Sequence, residues 1–124
     1  FPRVNDANIA SGARYSYMAQ IKTDEPTLMA NGLIKYDLAT GARDRLAFPE
    51  HHVGYEASFA PRDGGSGEDD GYVIGFVTNR ADLSSEFWIT PSQAFAAGPV
   101  ARIKLPQKVP PKFHGRWLPT GVLV

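Results

Sequence analysis

The sequence has no cysteine, no net charge and no long apolar run. Without a thiol there is no disulfide framework, no thiolate nucleophile and no cysteine-bound zinc, so any metal site must use histidine, aspartate or glutamate. Thirteen lysines and arginines balance thirteen aspartates and glutamates. No basic cluster is present that could track a phosphate backbone, and nucleic acid is not an expected partner. No stretch approaches the roughly 18 apolar residues that cross a bilayer, and the start does not read as a basic segment followed by an apolar one. A soluble, cytoplasmic protein is the expectation. The chain opens with Phe1 rather than Met, directly on the strand-like FPRVN, and on this reading it is a fragment of something longer.

What is present is a succession of short apolar or alternating runs. YSYMAQIK, GLIKYDL, EASFAP, GYVIGFVT, SEFWIT and VARIKLP are each of strand length. They are separated by DLATGAR, PRDGGSGEDDG, NRADLSS and AAGPV, whose Gly, Asp, Asn, Ser and Pro favour turns through positive φ or side-chain to backbone hydrogen bonds. The spacing predicts an antiparallel meander. Tyr15 and Tyr17 alternate with Ser16, as in a strand buried on one face, while Val73, Ile74, Phe76 and Val77 form the denser run of a strand buried on both. Only SQAFAA has helical propensity, and it is long enough for a turn. The fold class is therefore all-β, either a closed sandwich or barrel or a piece of a β-propeller. About nine strand candidates at four strands per blade would make about two blades, too few to close a ring. The loop with Gly64, Gly65, Gly67 and Gly71 reads as exposed, not as a domain linker, so residues 1–124 form a single unit.

Three histidines are the obvious candidates for metal chemistry, because neutral imidazole is the commonest side-chain ligand for transition metals. His51 and His52 are adjacent in the turn-like FPEHHVGYE, and neighbours on an extended chain point to opposite faces, so they read as surface or turn residues. His114 lies between Phe113 and Gly115. From the residues alone it is either a satisfied buried histidine or a ligand, since one histidine is not a coordination sphere. The cluster Glu68, Asp69 and Asp70 lacks the alternating oxygen ligands of a calcium loop and reads as a solvated turn. Glu56 heads the apolar EASFAP, where a carboxylate needs a partner. An ion pair with Arg3 or Arg62 is one reading. The other is a carboxylate that accepts the second N–H of a metal-bound imidazole. Ser58, Ser84 and Ser85 lack a nucleophile-elbow pattern, and GGSGEDDG is not a phosphate-binding loop.

The order of the motifs is more specific than any one of them. FPRVN, GLIKYDLATG, YEASFAPR, EDDGYVIGFV, SEFWI and GPVARIKLPQKVPPKFHGRW, taken together, resemble the C-terminal part of the carotenoid cleavage oxygenase family, which includes carotenoid, apocarotenoid and lignostilbene dioxygenases. The resemblance implies about two blades of a seven-bladed β-propeller, with the rest of the propeller missing. It implies a non-haem Fe(2+) held by four histidines, the last in a Phe-His-Gly-like motif that corresponds to His114. Glutamates hydrogen-bond three of the ligating histidines in the family, and the one heading the E-x-x-F-x-P strand corresponds to Glu56. His51 and His52 match no ligand position. No catalytic residue beyond the metal ligand is implied. Phe113 and Trp117 are candidates for lining the substrate cavity, with ordinary packing as the alternative.

The implied reaction uses O2 to cleave a carbon-carbon double bond of an apolar conjugated substrate into two carbonyl products. A lignostilbene-cleaving enzyme is the nearest alternative, and a non-catalytic β-propeller segment for binding or assembly is the rival from another class. The family often shows Pro-Tyr-Gly before the Phe-His pair, whereas Pro110, Pro111 and Lys112 stand here, which leaves substrate choice open. The isolated chain is expected to be inactive, since it lacks the other three ligands. Peripheral membrane contact is left to surfaces of the full-length protein outside these residues.

Overall fold

A computed structural model describes residues 2–24, 28–54, 56–110 and 114–122. Among them, eight strands form one antiparallel sheet. They are β1 (Tyr15–Ile21), β2 (Ala30–Asp37), β3 (Arg43–Ala47), β4 (His52–Gly54), β5 (Ser58–Pro61), β6 (Gly71–Asn79), β7 (Ser85–Pro91) and β8 (Ala101–Lys104). Turn chemistry sets the hairpins. Between β2 and β3, the Asp37 carboxylate accepts from the Ala39 amide at 3.0 Å, and Gly41 takes a φ of 75° that an L side chain would resist. Between β6 and β7, Asn79 and Asp82 accept from the Ala81 and Ser84 amides in the same way.

The strands fall into two groups. β1, β2 and β3 form a meander. β4 and β5 lie against successive halves of β6, as one edge strand interrupted near Glu56, and β6, β7 and β8 continue that meander. The second group is thus a four-stranded blade, and the first supplies three strands of another. A bridge between Ala30 and Gly54 joins them. This is the all-β architecture the spacing predicts, at about two blades.

The core lies between the two groups. Leu33 and Leu46 are directly opposed across β2 and β3, and they meet Phe59, Val73, Val77 and Trp88 of the other group in one buried cluster. Tyr17 stacks on Phe59 with ring centroids 5.4 Å apart, and Phe48 meets Trp88 edge-on at 5.4 Å. The SQAFAA segment forms a 3-10 turn, Ser92–Ala97, that drives Phe95 into this core at 1% exposure.

Two expectations change. Ser16 is buried along with Tyr17, so β1 is not open on its polar side. In β6, by contrast, Val73 and Val77 are buried while Ile74 and Phe76 are only partly covered. Those two share a face with Phe87 and Ile89 of β7, opposite them in register, and with Ile103 of β8, opposite Phe87. That face has cross-strand aromatic packing, Phe76 on Phe87 at 5.1 Å, and is only partly covered, with Ile103 at 49% exposure. No helix among the described residues is long and apolar enough to cross a membrane, which says nothing of a β-barrel.

Candidate metal centre

Three separate pieces of chain meet where the edge strand is interrupted. The first is Arg3, whose backbone N–H and C=O each pair with Tyr17 of β1 at 2.7 Å. The second is Glu56, between β4 and β5. The third is the irregular tail beyond β8. Its Leu105 amide bonds to the Ser85 carbonyl and its Val109 amide to the Ser85 hydroxyl, so the tail is led back across the blade towards β5.

Glu56 is the hub. Its side chain is only 5% exposed. Arg3 Nε donates to Oε1 at 2.7 Å, the Gly115 amide donates to Oε2 at 3.1 Å, and His114 Nδ1 lies 3.4 Å from the same Oε2. The Gly115 carbonyl in turn accepts from Arg3 Nη2 at 2.9 Å and from the Ser58 hydroxyl at 3.1 Å. Burial is the largest influence on the Glu56 carboxyl and pushes its pKa up. The hydrogen bonds and charge of Arg3, with the Gly115 amide and His114, outweigh burial and leave the pKa below the ordinary carboxylate value. Glu56 is therefore ionised at neutral pH. The bond to Glu56 likewise raises the Arg3 guanidinium.

Glu56 thus has a partner on each oxygen, an ion pair with Arg3 on Oε1 and a contact to the His114 imidazole on Oε2. Arg62 is engaged elsewhere, on Asp70 at 2.7 Å. A carboxylate accepting from Nδ1 fixes the tautomer in which Nε2 carries the lone pair, the arrangement found behind metal-bound histidines. Within these residues the His114 side chain is 66% exposed. These residues fit one position of a multi-histidine site. Among the described residues no three His, Cys, Asp or Glu converge, so further ligands would have to come from elsewhere.

The other candidates are placed as follows. Trp117 is 42% exposed on the tail, near the Arg116–Asp6 ion pair. Phe113 lies outside the described residues. His51 adopts a φ of 62° in the turn before β4, and with His52 it lines a depression of about 350 Å³ that also involves Arg45 and Arg80, at the other end of β4 from Glu56.

The acidic cluster is not a solvated turn. Glu68 Oε1 accepts from the Arg14 and Tyr15 amides. Asp69 receives Lys35 Nζ at 2.7 Å, and Asp70 holds Arg62. Each carboxylate has a partner on or beside the sheet, so the loop is fastened at three points. Sequence reasoning missed the partners of Glu68 and Asp69, and also the role of Gly115, because they lie far away along the chain; Arg62 lies only eight residues from Asp70, within the same loop. The one local signal was the improbability of an unpaired carboxylate at the head of an apolar strand.

A family model described as retinal pigment epithelial membrane protein matches residues 1–119. The chain is 32% identical over 121 residues to the apocarotenoid-15,15'-oxygenase of Synechocystis, covering 97% of this chain and 24% of that protein. It is 29% identical to a carotenoid cleavage oxygenase of Mycobacterium tuberculosis, with the same coverage of each. Among solved structures, the cobalt-substituted Synechocystis apocarotenoid oxygenase superposes with a TM-score of 0.87 at 30% identity, over 97% of this chain and 25% of that one. The lignostilbene dioxygenase of Pseudomonas brassicacearum gives 0.88 at 28%, over 95% and 26%. The chain thus spans about a quarter of the length of the relatives it matches.

Proposed function

The chain belongs to the retinal pigment epithelial membrane protein family, the carotenoid cleavage oxygenases, and from that premise we propose that it is part of a non-haem Fe(2+) dioxygenase. The substrate is a carotenoid or apocarotenoid, and O2 cleaves one of its carbon-carbon double bonds to give two carbonyl products. In this reading His114 is an iron ligand through Nε2 and Glu56 is its outer partner. The observation that carries the reading is the contact between His114 Nδ1 and the buried Glu56 carboxylate. When bound, Fe(2+) supplies the activation of O2. The chain's own residues hold a proton on His114 Nδ1, fix the ring plane and return one negative charge to a site otherwise made of neutral imidazoles.

Phe113 and Trp117, on either side of His114 in sequence, are proposed to face the substrate cavity, where an apolar conjugated chain is oriented by shape. The half-covered face of Ile74, Phe76, Phe87, Ile89 and Ile103 supports a longer parent, since a contiguous apolar face of that kind calls for a covering layer. Alone, the 124 residues are proposed to be inactive. The cytoplasmic location, and any peripheral membrane contact of the full-length protein, belong to the same proposal. A phenolic stilbene is the second substrate class, favoured by the close superposition on a lignostilbene dioxygenase.

The test is oxygen uptake and product mass with the full-length, iron-loaded protein, supplied with an apocarotenal or a phenolic stilbene. Two carbonyl fragments from one of them are expected. An iron-loaded protein that consumes neither substrate would contradict the proposal, and so would turnover by the isolated chain.

A further inference from the structure

Resting on that reading of His114, we propose that Arg3 is the positioning residue of this ligand. Its guanidinium, rather than Glu56 alone, sets where the His114 ring stands. Glu56 is an acceptor with two oxygens, and a carboxylate free to rotate about its last torsion would not hold an imidazole in one plane. Arg3 removes that freedom by taking Oε1 at 2.7 Å, which leaves Oε2 towards His114 and the Gly115 amide. The same guanidinium reaches past the carboxylate to the Gly115 carbonyl at 2.9 Å. One planar fork therefore fixes both the acceptor and the peptide that follows the ligand.

Lysine could neutralise Glu56 but could not span the two acceptors with the same rigid geometry. Arg3 is itself held by both backbone bonds to Tyr17, a residue 2% exposed in the core. The ligand position is thereby referenced to the packed interior of the first strand group, although His114 lies on an irregular tail. Ser58 supports the same carbonyl at 3.1 Å, but its hydroxyl has one O–H to donate and cannot span the carbonyl and the carboxylate as the fork does.

The experiment compares Arg3→Gln, Arg3→Lys, His114→Ala and Arg62→Gln in the full-length protein. Arg62→Gln breaks an ion pair of the same length on the neighbouring loop and serves as the stability control. The readouts are affinity for Co(2+) alone, the ligand-field absorption of the Co(2+) form, and thermal melting of the metal-free protein. Arg3→Gln is expected to weaken Co(2+) binding about 10- to 100-fold, the range for loss of an outer partner, and to shift the ligand-field bands. Arg3→Lys should recover part of the affinity, and Arg62→Gln should leave affinity and bands unchanged. Wild-type affinity and an unshifted spectrum in Arg3→Gln overturn the inference, as does an equal loss of affinity in Arg62→Gln. If Arg3→Gln does not fold, Arg3→Lys decides: unchanged affinity and bands reject the fork. His114→Ala separates the two levels. Retained Co(2+) affinity there sinks the metal-ligand reading itself, whereas lost affinity with an unaffected Arg3→Gln sinks only the role of Arg3.

Discussion

On the proposed reading, replacing His114 with alanine in the full-length protein is expected to remove stoichiometric iron and double-bond cleavage while leaving the fold in place. The two effects should separate because His114 is carried by the irregular tail and not by a strand, and within these residues its side chain is 66% exposed; substitutions away from packed positions usually change stability by about 0.5 kcal/mol or less. Loss of a ligand, by contrast, should cost more than the roughly 10- to 100-fold that follows loss of an outer partner. Metal analysis and thermal melting on the same preparation check this. Full iron content and activity in the variant would remove His114 from the site, and would favour a non-catalytic role for this segment.

The second large effect is on stability, where the acidic loop meets β2. Lys35 has a side chain 8% exposed, and its ammonium sits 2.7 Å from Asp69 Oδ2. It also donates to the Ser92 carbonyl at 2.9 Å and lies 4.4 Å from the centre of the Tyr15 ring. Asp69→Ala strands that charge in the interior with a neutral acceptor and an aromatic face, and should cost about 3 kcal/mol. Changing Lys35→Met in the same protein should restore part of the loss, because the uncompensated charge goes with it. A loss below about 1 kcal/mol for Asp69→Ala would show that the pair is screened as a surface one.

The pH dependence follows from the same pair. Burial raises the Asp69 carboxyl, but Lys35 and Gln93 outweigh it and leave its pKa below the ordinary value. The unfolded chain therefore binds the proton first, so the stabilisation is complete above the unfolded value of about 3.9 and fades as the pH falls through the lower folded value. The difference in melting temperature between wild type and Asp69→Ala should be constant near neutrality and shrink in acid.

The strand pattern was legible because alternation and turn residues are local. DLATGAR and NRADLSS end their strands through Asx-type bonds within a few residues, and SQAFAA becomes the short turn its length allows. Exposure was less legible. Ile74 and Phe76 read as fully buried, yet their burial depends on what packs over β6, which periodicity within the strand does not contain. The acidic loop misled for the same reason: Glu68 and Asp69 look solvated in sequence, and their partners Tyr15 and Lys35 become neighbours only when the loop meets β1 and β2, whereas the Arg62–Asp70 pair lies within the loop itself. At the candidate site, the need of Glu56 for a partner was readable, as was the choice between a cation and an imidazole. That both are met, one on each oxygen, required the tail to return to β5.

Anomalous diffraction at the iron edge, on crystals of the full-length protein, tests the central claim most directly. The account predicts a peak about 2 Å from His114 Nε2, with Glu56 behind Nδ1. An iron peak at a site that excludes His114 would contradict it.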